Sequence, residues 1–132
     1  MHILPLRLAP GQDLRAALES QLAVHGVMAA YVLQAIGSLS VAQIRFAGVA
    51  QAQELVGDME ILTLAGTLSP DGVHLHISVS DAQGKVIGGH VERGCVVRTT
   101  AEVLVALLPK HSFSREVDPA SGFKELVVRA AK

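Results

Sequence analysis

Val73-His74-Leu75-His76-Ile77-Ser78-Val79-Ser80 is the stretch on which the fold turns. Successive side chains of an extended chain point to opposite faces. Val73, Leu75, Ile77 and Val79 therefore share one face, and His74, His76, Ser78 and Ser80 share the other. That alternation describes a strand with one side on a core. Turn residues bracket it, Ser69-Pro70-Asp71-Gly72 before and Asp81-Ala82-Gln83-Gly84 after. Residues 58–68, with Ile61, Leu62 and Leu64, read as the strand leading in. Residues 85–91, interrupted by Gly88-Gly89, read as the strand returning.

Before this hairpin, residues 2–8 alternate weakly and contain Pro5, which suits a first or edge strand. Pro10 to Asp13 form a turn, with Asp13 placed to cap a helix. Leu14, Ala17, Leu18 and Leu22 then recur at helical spacing, and Gly26 stands at the C-cap, so 13–25 is the principal helix. Residues 28–36 are apolar and uncharged, as in a strand buried on both faces. Gly37-Ser38 is expected to break that strand. A shorter one follows over 40–48, with Ile44 and Phe46 opposite Arg45. Residues 94–108 read as a long strand, although 101–108 would also suit a helix, and Pro109 stops it. Residues 113–117 and 123–129 form a last strand pair around Asp118 to Gly122. Many strands and one clear helix predict a single α+β domain over 1–132, mainly an antiparallel twisted sheet with one principal helix.

Composition narrows the class. Half of the 132 residues are hydrophobic and only 17% are charged, against about 25% in ordinary globular chains. That excludes a disordered chain. Small apolar side chains dominate, and such a charge-poor surface predicts an oligomer that hides part of itself. Eleven basic and twelve acidic residues give a net charge of −1, and the basic ones are scattered, so no electrostatic footprint for nucleic acid stands out. A single Cys excludes an internal disulfide and a multi-Cys zinc ribbon, and is consistent with a reducing cytoplasm. The first residues lack the pattern of a signal peptide. The longest apolar runs fall far short of the roughly 20 residues a membrane helix needs. The expectation is a soluble, cytoplasmic protein with no membrane partner.

The chemistry concentrates on the histidines. His74 and His76 stand on one strand face, about 7 Å apart by strand rise. If 73–80 and 85–91 pair around the Gly84 turn, His90 falls opposite them and three imidazoles converge. Three His ligands with an open position are the pattern of a catalytic zinc site. Gly88-Gly89 would let backbone or ligand approach closely. The plainer alternative is a solvated polar face. Three further side chains are candidate ligand contacts, each with a plainer alternative. Cys95 is a fourth ligand, a nucleophile or simply a small buried thiol, the last being favoured. Arg45 can pair with an anion or lie on the surface with a packed stem. Glu60, like Glu102, is a carboxylate in apolar surroundings, either an acid–base group or a strand-end residue. His2, His25 and His111 have no partner at telling spacing.

Several runs resemble one family. They are Glu60-Ile-Leu-Thr-Leu-Ala-Gly-Thr-Leu68, Asp71 through Asp81, Gly84-Lys-Val-Ile-Gly-Gly-His90 and Gly94-Cys95. Gly37 to Ala42, Arg45, Thr99 to Glu102, and the closing Asp118-Pro119, Gly122-Phe123 and Glu125-Leu126 accompany them. Together they resemble the plant- and prokaryote-conserved (PPC) domain family, bacterial type, over nearly the whole chain. The resemblance implies a homotrimer of α+β domains and a DNA-associated regulatory role. This chain has no Arg-Gly-Arg-Pro hook, and its net charge gives DNA phosphates little to hold. The fold also resembles α-acetolactate decarboxylase, whose zinc sits on a His-x-His pair and a later His. His74, His76 and His90 match that pattern, which implies zinc or another divalent ion. A binding or regulatory module, a zinc-dependent lyase or hydrolase acting on a small carbonyl compound, and a structural metal site all remain open.

Overall fold

The computed structural model describes all 132 residues. In chain order the elements are β1 (His2–Leu8), α1 (Leu14–Glu19), α2 (Gln21–His25), β2 (Ala30–Arg45), β3 (Gln53–Ser69), β4 (Gly72–Ser80), β5 (Val86–Val91), β6 (Val96–Leu107), β7 (His111–Val117) and β8 (Lys124–Ala130). Six strands form one antiparallel sheet in the order β1-β6-β2-β3-β4-β5. The sheet then curls until β5 meets β2 again, through Ile44 opposite Val91 and Arg45 opposite His90. β3 runs along one edge of β2, while β6 and then β5 share its other edge. A ring of β2, β3, β4 and β5 results, and β7–β8 form a separate hairpin. The predicted α+β class and single small domain hold.

The long strands depart from expectation in an instructive way. β2 runs unbroken through Gly37-Ser38 and ends at Arg45, so the expected break does not occur. Gly37 has φ +142°, and a Cβ there would lie 2.3 Å from Thr100 O. Its missing side chain lets β2 press on β6, and the ladder shifts register beside it. A second irregularity falls at Gln34, whose Oε1 accepts the Leu64 N–H at 3.0 Å where the β2–β3 ladder is interrupted. β3 begins at Gln53, five residues before the expected start, and residues 101–108 belong to strand β6 rather than to a helix. The helical stretch divides at Ser20 into two short helices. Asp13 caps the first as anticipated, accepting the Ala16 N–H at 2.9 Å, and Gly26 ends the second in the left-handed conformation.

The core lies inside the curled sheet, closed by the helices. Leu14, Leu18 and Leu22 pack against Leu39, Ile44, Leu64, Leu68, Leu75, Val91 and Val97. The apolar face of β4 is buried as its alternation predicts, so the histidine face is turned outward.

Candidate metal centre

Register partners in an antiparallel ladder share a face. The ladder sets His76 opposite His90 and, one strand further, His90 opposite Arg45. His74 precedes His76 by two residues and joins the same face. The hairpin thus brings the three imidazoles together, with their ligand atoms all within 4.8 Å of one another. The close approach anticipated at Gly88-Gly89 is made by backbone. A Cβ on Gly89 would lie 2.6 Å from Arg45 O and 2.9 Å from Ile44 Cγ2. β5 can seat against β2, and His90 beside Arg45, only because position 89 has no side chain.

The nitrogen geometry is specific. His74 Nε2 lies 3.1 Å from His76 Nε2, which lies 3.2 Å from His90 Nδ1. A neutral imidazole nitrogen carries one proton or one lone pair. His76 Nε2 therefore cannot serve both neighbours well. As donor it has one proton for two acceptors, and as acceptor one lone pair for two donors. A shared cation resolves the conflict, since all three nitrogens can then offer lone pairs. Nitrogens bound about 2.0–2.1 Å from a tetrahedral zinc stand roughly 3.3 Å apart, close to the two spacings seen. The donor set fits a divalent ion that prefers nitrogen ligands.

Electrostatics favour the ligating form. Burial lowers the His74 pKa to about 4, helped by Arg115 and then by His76 and His90. Burial also lowers that of His90, aided by Arg45 and His76 and opposed by Glu92. Both rings are thereby kept neutral at ordinary pH, as metal binding requires.

A groove of about 670 Å³ opens beside the cluster, with His74 and His90 in its wall. One side carries a chain of ion pairs. Arg45 Nε meets Glu92 at 3.2 Å, Glu92 meets Arg15 at 3.4 Å, and Arg15 meets Glu19 at 3.0 Å. The other side comes from the β7–β8 hairpin, which brings Arg115, Phe123, Lys124 and Glu125. Phe113, buried, and the Arg115 N–H, which donates to Asp71 Oδ2 at 3.0 Å, anchor this hairpin.

The remaining candidates disperse. Arg45 faces the groove. Cys95 is fully buried in the core, its thiol 3.3 Å from Gln43 N and 3.5 Å from Gln43 O, and burial raises its pKa. Glu60 is exposed at the Ser80 end of the β3–β4 ladder, five residues along β3 from Ala65, the partner of His76. Glu102 is exposed on β6 opposite Arg7 and Ile36. Sequence reasoning missed Arg115, Lys124 and Phe123. The only signal toward them was the predicted strand pair, since nothing local says that it folds back against β3 and the turn at Asp71.

Comparison with known proteins agrees with this architecture. A hypothetical protein from Salmonella cholerae-suis is 38% identical, with a TM-score of 0.94 over 98% of this chain and 94% of that one. A metal-containing protein from Archaeoglobus fulgidus is 26% identical, with a TM-score of 0.79 over 96% of this chain and 94% of that one. At 24% identity, a structure from Ralstonia eutropha with a DNA-binding designation shares the fold, with a TM-score of 0.79 over 93% of this chain and 89% of that one. Among curated sequences, the bifunctional protein GlmU of a Synechococcus strain is 47% identical over 129 residues, 98% of this chain, which spans only 20% of that protein's length. No helix is long and apolar enough to cross a membrane. The family pattern itself matches residues 1–109, and with the fold and the three-His hairpin in place the chain belongs to the Plants and Prokaryotes Conserved domain family.

Proposed function

We propose that this chain is a regulatory, ligand-binding module built on one divalent metal ion, preferentially zinc, held by His74, His76 and His90. The observation that carries the reading is the convergence of His74 Nε2 and His90 Nδ1 on His76 Nε2, which ordinary hydrogen bonding does not satisfy well. No carboxylate or thiol joins the three, so coordination positions are left toward the groove. A bound ion would supply Lewis acidity there. The metal content of the Archaeoglobus fulgidus relative supports the reading. A regulatory role is supported by the Synechococcus relatives, where a similar module is a fifth of a larger bifunctional protein.

The module works as a cytoplasmic homotrimer. Exposed Tyr31, Leu33 and Ile36 on β2, beside Leu62 and Leu104, support a buried subunit face, and the family resemblance supports three as the number. The single thiol suits a reducing cytoplasm. DNA is the weaker partner, because the net charge is −1. A second reading, a zinc-dependent lyase or hydrolase acting on a small carbonyl compound, is favoured by the open metal positions and by Arg45 on the groove wall.

Protein purified without chelator should carry about one zinc-like ion per subunit by elemental analysis, and His76→Ala should carry none. Wild-type protein that holds no metal and takes up no added zinc would contradict the reading.

A further inference from the structure

We propose that the groove beside the three-His centre binds a small organic oxyanion, held between the metal position and the guanidinium of Arg115 on the β7–β8 hairpin. The inference rests on the metal reading above and adds to it the chemical class of the ligand and the residue that selects it.

The charges of the groove divide into spent and unspent. Arg15 and Arg45 are engaged by Glu19 and Glu92. Arg115 and Lys124 take part in no ion pair, and no side-chain hydrogen bond is made by either. The acids nearby are already occupied in part. Asp71 accepts the backbone N–H of Arg115, and Glu125 accepts the Ser121 hydroxyl at 3.1 Å. A half-buried Arg115 with its guanidinium donors unfilled therefore lines a groove whose wall also carries His74 and His90, two members of the three-His cluster. Guanidinium presents a planar fork that matches the two oxygens of a carboxylate or phosphate. A divalent ion with open positions takes the same oxygens.

Phe123 adds an exposed apolar ring on the same wall, suited to a carbon skeleton, and the groove volume falls in the range of small-molecule sites, about 300–1,000 Å³. The hairpin also lies outside residues 1–109, where the family pattern matches. Ligand choice is thus carried by a part of the chain which that pattern does not describe.

The test uses the full chain loaded with cobalt(II), whose visible spectrum reports the ligands around the ion. Inorganic phosphate and malonate are titrated separately at constant ionic strength, with chloride as control, so that general screening is not read as binding. Each effective anion should change the spectrum saturably, and the order of the two distinguishes a phosphate ligand from a carboxylate one. Arg115→Ala should keep the anion-free spectrum but need about tenfold more anion, the weight of one charge-assisted pair. Arg115→Lys, which keeps the charge and folds more safely, should fall between. Failure to take up cobalt overturns the metal reading and this inference together. Cobalt uptake with no response to either anion, or with equal response in wild type and both variants, overturns this inference alone.

Discussion

Gly89 shows at the scale of one residue how tightly the centre is built. Its Cα stands where any side chain would meet Arg45 O, so the position of His90 depends on an atom that is absent. His74 shows the complementary electrostatic constraint. Its folded pKa of about 4 lies below the ordinary value of 6.5. Between those values the unfolded chain binds more protons than the folded one, so stability is retained above pH 6.5 and falls as pH drops toward 4. The urea midpoint of metal-free protein should therefore decline between pH 7 and pH 4.5. His74→Gln should show a smaller decline over the same interval. Equal declines in the two proteins would remove His74 from that role.

Among the elements, α1 depends on a residue that serves two masters. The Asp13 carboxylate caps the helix through the Ala16 N–H and also accepts the Gly94 N–H at 2.6 Å, tying the helix to the turn before β6. Asp13→Ala removes a cap and leaves a partly buried N–H unpaired, and should lower unfolding free energy by about 2 kcal/mol in denaturant titration. Asp13→Asn should cost less. This cap, the Gly26 stop and the β4 alternation were legible in the sequence because each is written in neighbouring residues. The pairing of His76 with His90 was legible because a short turn between two strands constrains register. The continuity of β2 through Gly37 was not, since a glycine between apolar residues marks a break or a close approach equally well, and only β6 decides which. The early start of β3 at Gln53 likewise answers to its pairing with Ile44 on β2. Arg115 was hidden for the same reason, its place being set by Asp71, 44 residues away.

For the whole molecule, the decisive quantities are the charge-poor composition and the apolar side chains left on the convex face of the sheet. Tyr31 is 42% exposed, Leu33 47% and Ile36 53%, three neighbours along one strand. Leu33→Glu places a charge in that row, where burial against another subunit would be unfavourable. Light scattering should give a mass near three subunits for the wild type and a shift toward one for Leu33→Glu, with the circular dichroism of the fold preserved. A wild-type monomer would leave the apolar row without its assigned partner.

The pairing of β1 with β6 has a consequence for the chain in the making. His2 lies opposite Leu107 and Leu8 opposite Ala101, and β1 has no other strand beside it. At about 5–20 residues per second, a ribosome takes roughly 5–20 s to supply that partner. Through that interval Ile3, Leu4, Leu6 and Leu8 form a short apolar segment with unmatched backbone groups, the kind that pairs with neighbouring nascent chains. Pro5 interrupts it, with no N–H to offer such a pairing. The proline tolerated at the sheet's edge thus also guards the newborn chain while its sixth strand is still being made.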